Sequence, residues 1–323
     1  MKMKKMICMI LAVVMILALA ACGGGDSDTV RMTMGTGSPS GTYYAFGSVL
    51  SQHIQANSNI SVTPVSTDGS KSNISYISTG DYQLGFTQSD VLAYAWAGSR
   101  SFEDMGAITS FRVIGGLYAE AVQLITMDPN IKSVADLAGK SVSIGAPGSG
   151  VYFNAIDILA AAGLTESDIK PQYQSFGDST DALKDGKIDA AFIVAGAPTA
   201  AITELCTTNE AFLVPIDGAI AEKLMTDNSF YTPYTIPAGT YAGQDADVVT
   251  VTVKATLIVS ASASDEDVYN ITKAIFDNAD AITKENGKGA ELSVENATSG
   301  MSAPFHPGAA KYYAEKGITV PTE

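Results

Sequence analysis

The 323-residue chain carries 34 Asp+Glu against 19 Lys+Arg, a formal charge of −15, and 46% of its residues are apolar. That apolar content supports large cores and excludes a disordered chain, while the acidity excludes a nucleic-acid partner, which needs clustered cations. Acidity in an exported protein serves solubility.

The first 21 residues read as an export leader. Lys2, Lys4 and Lys5 form a positive start, Ile7–Ala18 is an unbroken apolar run, and Leu19-Ala20-Ala21 precedes Cys22. A cysteine there resembles the bacterial lipobox, in which it is lipidated and becomes the new N-terminus. An ordinary secretory leader or a membrane anchor are the other readings, although the run is short for a span. Residues 22–29, rich in glycine, then form a flexible tether. Cys8 leaves with the leader and Cys22 takes the lipid, so Cys206 remains alone: no internal disulfide and no thiolate metal cluster. In its apolar helical segment Cys206 reads as a buried small hydrophobe.

From Val30 onward, short apolar runs alternate with helical patterns. Strands are expected at Val30–Met34, Ile60–Ser66, Gln83–Thr87, Phe111–Tyr118, Val122–Thr126, Ser141–Gly145, Pro171–Ser175, Ile188–Val194 and Phe212–Ile216. Helices fall between them: one carrying Val49, Leu50 and Ile54, then Ser70–Ile77, Ser89–Trp96, one carrying Val151, Ala155, Ile158, Leu159 and Ala162, then 179–184, 198–206 and 219–226. This alternation argues for α/β layers with mainly parallel strands. Residues 230–247, rich in Tyr, Thr, Pro and Gly, read as a long extended connection between lobes. Val248–Ser260 is one long strand, Asp265–Lys284 one amphipathic helix, and Pro307–Lys316 a last short helix.

Five strand-to-helix turns share one chemistry: Gly35–Thr42, Ser66–Asn73, Thr87–Asp90, Gly145–Tyr152 and Val194–Pro198. Each sets glycine or hydroxyl residues at a helix start, where free N–H groups and the helix dipole favour an anion. Ordinary N-caps and tight turns account for each singly, but less well for five. In open α/β sheets such turns lie on the ligand-binding edge. Other chemistries lack their parts. Gly35-x-Gly37-x-x-x-Gly41 is not a dinucleotide fingerprint, and Gly145–Gly150 has no Gly-Lys-Ser/Thr. His53, on an early helix, reads as a surface or boundary residue and His306 as structural. No hydrolase elbow is present, so no enzyme activity, cofactor or metal is expected.

Read together, Gly35-Thr36-Gly37, Gly41-Thr42-Tyr43-Tyr44, Gly69-Ser70 with Asn73, Gln88-Ser89-Asp90, Ile131–Lys140, Gly145–Gly150, Gly186–Ala190, Ala195–Pro198 and Ile236–Tyr241 resemble, in order, the TAXI solute-binding proteins, the extracytoplasmic receptors of one branch of TRAP transporters. The resemblance covers residues 30–285. It implies a two-lobed, type II periplasmic-binding fold with residues 30–118 and 240–323 in lobe I and 119–239 in lobe II. It implies capture of a small organic anion or amino acid, glutamate-like, by cleft closure, and delivery to TRAP permease subunits, with the receptor held extracytoplasmically on the membrane by its lipid. Carried over residue by residue, the pocket would use Gly37, Thr42, Tyr43, Ser70, Asn73, Gln88 and Asp90, with Ser149, Gly150, Tyr152, Ala195 and Gly196 from lobe II. Asp90 would pair with a ligand amine, and Tyr43 and Tyr152 would supply walls. Hinges are expected at Leu117–Ala121 and Tyr231–Thr240. After the leader only Arg31, Arg100 and Arg112 are arginines, none in these turns, which departs from an arginine-clamped dicarboxylate site. Lys71 is either a cleft-rim cation or a solvated lysine. An ABC-transporter receptor for pyrimidine- or sulfonate-like ligands, and a sensory or adhesive surface lipoprotein, are the alternatives.

Overall fold

The computed structural model describes residues 29–323. The leader, Cys22 and the tether as far as Asp28 lie outside the described residues.

The first part winds as β1 (Val30–Gly35), α1 (Thr42–Asn57), β2 (Ile60–Val65), α2 (Ser70–Thr79), β3 (Leu84–Gln88) and α3 (Ser89–Ala97). The 16-residue β4 (Phe111–Thr126) follows. A second set comprises β5 (Ser141–Ser143), α4 (Val151–Ala161), β6 (Lys170–Gln172), α5 (Phe176–Lys184), β7 (Ala190–Ala195), α6 (Ala200–Thr208), β8 (Phe212–Val214), α7 (Gly218–Asp227) and β9 (Thr232–Ile236). The chain returns through β10 (Val248–Ser260) to α8 (Asp265–Phe276), α9 (Ala279–Glu285), α10 (Val294–Thr298) and α11 (Pro307–Glu315).

The strands run β2-β1-β3-β10-β4-β7-β5-β6, with β8 on β4 and β9 on β10. Parallel pairing holds within each flank, β1 with β2 and β3, β5 with β6 and β7. The expectation of mainly parallel strands fails at the centre. There β4 and β10 are antiparallel to each other and to their other neighbours. These two strands pass between the lobes in opposite directions, which forces that sense.

The buried side chains divide the chain into two lobes. One core takes Met34, Phe46, Leu50, Phe86, Tyr118, Ala255 and Leu257. In the other lobe alternate residues of β4 and β7 face opposite sides of the sheet, Val122, Leu124, Phe192 and Val194 on one, Ala121, Ile125, Ala191 and Ile193 on the other. A strand covered on both faces reads as a continuous apolar run, and β7 has every residue buried.

The outward crossing therefore falls at Ala119–Glu120, inside one continuous strand rather than between two. The return differs from expectation. Residues 232–236 pair with the start of β10, and Val251 and Val253 belong to the second core whereas Ala255 belongs to the first. The return crossing is thus at Lys254, not near residue 240, and 230–247 is a hairpin arm of lobe II. The β10–β4 register shifts between Lys254 and Thr256, at the crossing itself. The expected single helix 265–284 breaks at Asp277–Asn278. There the Asn278 amide donates to the Ala274 carbonyl at 2.9 Å and Asp277 accepts from Lys273, Tyr312 and Lys316.

Candidate functional site: a cleft of converging turns

Each βα turn ends a strand at the face where the lobes meet, so the turns of both lobes come together. Around one cavity stand Gly37, Ser38 and Gly41–Tyr43 before and at the start of α1, Thr67–Ser70 before α2, Gln88 before α3, Ala146 and Ser149–Val151 before α4, Gln174–Phe176 before α5, and Val194 and Ala195 at the end of β7. Glu120 of β4 completes the lining. The lobes touch across it. Ser72 N donates to Gly148 O at 3.1 Å, Ala201 N to Ser40 O at 3.2 Å, and Thr42 Oγ1 to Gly196 O at 3.0 Å. In this closed arrangement the cavity volume is about 60 Å³. A single water needs about 10–15 Å³, so the cavity takes a few non-hydrogen atoms without further opening.

Of the sequence-derived candidates, Gly37, Thr42, Tyr43, Ser70, Gln88, Ser149, Gly150 and Ala195 stand on the lining. The other four stand elsewhere, each for a visible reason. Asn73, fully buried, ties three turns together, donating to Thr36 O at 2.7 Å and Phe86 O at 2.8 Å and accepting from Thr67. Asp90 turns away from the cavity and accepts from Asn154 Nδ2 at 2.9 Å, joining the lobes beside the cleft. Burial pushes its carboxyl up to about 7, and the charge of Asp157 adds to that, against hydrogen bonds from Val91, its own amide and Asn154. Tyr152 points outward to Glu166, 3.2 Å away, and Gly196 offers its carbonyl to Thr42 and Thr199. Lys71 lies near the Phe102 ring, 5.8 Å from its centroid, and is not on the lining. Arg100 pairs with Asp157, and Arg112 lies over Trp96.

Glu120 and Gln174 were missed. Glu120 is 2% exposed and accepts a 2.6 Å hydrogen bond from the Tyr43 hydroxyl. Burial raises its carboxyl well above the usual carboxylate range, with Asp90 adding to the rise and the Tyr43 hydrogen bond and Lys288 opposing it. Tyr43 is raised well above the ordinary phenol value, first by burial and then by Glu120. The signal for Glu120 was a lone acid inside an apolar strand run. Gln174 belongs to a sixth strand-to-helix turn, hidden because α5 begins at Phe176 and not at 179. The side-chain oxygens of Gln88 and Gln174 are buried and without a hydrogen-bond partner.

The lining contains two acidic side chains, the exposed Asp68 and the buried Glu120, and neither lysine nor arginine. Among the described residues no group of His, Cys, Asp and Glu could hold a metal ion, and no helix is long and apolar enough to cross a membrane.

Two α/β lobes joined by antiparallel crossing strands, with helix N-termini aimed into the cleft, make the two-lobed fold of the periplasmic binding proteins. The chain belongs to the NMT1-like family, whose pattern it matches over residues 34–317. Similar solved structures include a protein of Bordetella bronchiseptica RB50, with TM-score 0.54 and 16% identity over 88% of this chain and 89% of that one. A second comes from the glutathione-import work on GshT and the cystine ABC importer TcyBC of Streptococcus mutans, with TM-score 0.51 and 12% identity over 82% and 97%. A third is the ligand-binding component of an ABC-type import system from Staphylococcus aureus, with TM-score 0.50 and 10% identity over 90% and 94%. At these identities the likeness is one of fold.

Proposed function

We propose that the protein is an extracytoplasmic receptor that captures a small organic solute in the cleft and hands it to a membrane permease. The observation that carries this reading is the convergence of turns from both lobes on one small cavity whose buried polar atoms include unpartnered ones. Such atoms are costly to leave unsatisfied and are answered by a bound molecule. A solute touching both lobes favours the form in which they meet, so binding and closure are coupled. The crossings at Ala119–Glu120 and Lys254 are where the chain would bend. The ordered motifs resembling TAXI receptors support a TRAP permease as partner, an amino acid or carboxylate of glutamate type as solute, and a lipid on Cys22 as the anchor.

A second reading, delivery to an ABC transporter, is favoured by the Streptococcus and Staphylococcus structures, both described with ABC import systems. Sulfonate- or pyrimidine-like solutes belong with it. Thermal unfolding in the presence of amino acids, dicarboxylates, keto acids, sulfonates and pyrimidines tests the receptor function. A true solute at a hundredfold excess over its dissociation constant stabilises by about 2.7 kcal/mol. No shift with any of them refutes it. Uptake in membranes that holds without ATP but collapses with the ion gradient selects the TRAP reading, and the reverse selects ABC.

A further inference from the structure

Beside the cleft a buried polar network crosses from lobe to lobe. Asp90 and Tyr94 of α3, and Arg100 just after it, belong to lobe I; Asn154 and Asp157 of α4, with Asn228 and Tyr231 ahead of β9, belong to lobe II. None of them lines the cavity. Asn154 Nδ2 donates to Asp90 Oδ2 at 2.9 Å and to the Tyr231 hydroxyl at 2.8 Å. The Tyr231 hydroxyl donates to Asp157 Oδ2 at 3.2 Å. Asn228 Nδ2 donates across the lobes to the Tyr94 hydroxyl at 2.8 Å, and Arg100 pairs with Asp157.

Two atoms of this network are left over, Asp90 Oδ1 and Asn154 Oδ1, both in fully buried side chains. Turning the amide does not help them. Tyr231 gives its proton to Asp157 and so accepts from Asn154, and both hydrogens of the Asn154 nitrogen are spent. A neutral carboxyl answers both atoms at once. In an acid–amide pair the amide nitrogen donates to one carboxyl oxygen, and the hydroxyl on the other returns to the amide oxygen. The surroundings agree with that form. Burial, the charge of Asp157, and the nearby Tyr94, Tyr231 and Glu120 disfavour a carboxylate at Asp90, while the amides of Val91 and of Asp90 itself and the Asn154 side chain favour one. Arg100, the cation of the network, is taken by Asp157.

We propose that the lobes close on a protonated Asp90 and that opening, which parts it from Asn154 and exposes it to water, releases the proton, so that solute capture is linked to pH. This rests on the lobes opening and closing and on no particular solute. The closed carboxyl titrates at about 7 and a solvated one at the ordinary 3.8. The proton's help to the closed form is therefore complete below 3.8, declines by about tenfold per pH unit between the two values, and is gone above about 7. Acid loads the receptor and neutral pH loosens it.

The test reads Asp90 directly, by carbon NMR of purified protein labelled at its aspartate carboxyls, which leaves Glu120 silent. The signal is assigned by its loss in Asp90→Asn or Asp90→Glu. Ser72→Cys with Gly148→Cys, placed where the Ser72 amide meets the Gly148 carbonyl, holds the lobes shut when oxidised and frees them when reduced. Ser40→Cys with Ala201→Cys, at the second such contact, serves if the first bridge disturbs folding. A midpoint near 7 is expected in the oxidised protein, falling by at least one pH unit on reduction. The same midpoint in both states overturns the proton link, as does an ordinary carboxylate midpoint in the bridged protein. Either result leaves the receptor reading standing, because no solute takes part.

Discussion

Replacing Gly150 by alanine puts one methyl group into the seam where the lobes meet. Gly150 has φ −75° and ψ −24°, a backbone that alanine adopts freely, so lobe II itself loses nothing. An added Cβ would stand 1.8 Å from Gln88 Oε1, 2.4 Å from Gln88 Cδ and 3.0 Å from Ser70 Oγ, all of lobe I. Gln88 can yield only by turning its amide into the cavity it lines, where it takes space the solute would use. Overpacking of this kind costs about 1–3 kcal/mol. Only the closed form bears it, because opening carries Gly150 away from Gln88. The substitution therefore lowers the population of the binding-competent form, and affinity falls by about 5- to 150-fold. Titration with the solute found by thermal shift gives the affinity, small-angle scattering gives the compaction on binding, and urea unfolding without solute checks the fold. Weaker binding with a little-changed unfolding midpoint is expected. Wild-type affinity together with wild-type compaction would refute the seam as the closing contact.

Two further predictions concern pH. Asp90, fully buried with its carboxyl pushed up to about 7, favours its neutral form in the folded state. Its stabilising contribution is complete below the ordinary value of 3.8 and is lost as pH rises through about 7. Asp90→Asn should flatten the decline in urea stability between pH 5 and pH 8, and an unchanged slope would count against the assignment. His306 caps α11, its Nδ1 accepting from Gly308 N at 3.2 Å while Nε2 donates to Ala263 O at 3.2 Å. Burial lowers its imidazole below the ordinary 6.5, with Arg112 adding to the effect and Asp265 and the Ala263 carbonyl opposing it. That contribution is present above 6.5 and is lost as pH falls through the folded value. His306→Ala should lose about 1–2 kcal/mol at pH 8 and show a smaller loss on acidification. Equal stability of the two proteins at pH 8 would remove the cap from the argument.

Much of the fold is written locally. Apolar runs such as Ala190–Ala195 and the periodic spacing of Val268, Ile271 and Ile275 specify strand and helix from a few neighbouring residues. Gly37, Gly69 and Gly150 mark turns whose chemistry is legible without a structure. That these turns share one edge follows from the alternation of strand and helix. Three things needed the folded molecule. Asn73 and Asp90 occupy the same turns as Ser70 and Gln88, yet one clamps backbone carbonyls and the other joins the lobes through Asn154, because which way a side chain faces depends on what packs against its helix. Glu120 interrupts an apolar pattern and so resembled a break between strands. Its place at the base of the cleft arises from Tyr43, 77 residues earlier, lying opposite it. The return crossing at Lys254 is set by which core each face of β10 buries, a contact between distant parts of the chain. Local periodicity and turn chemistry thus determined the elements and most of the candidate site, while long-range packing decided which polar groups face the cleft and where the two lobes part.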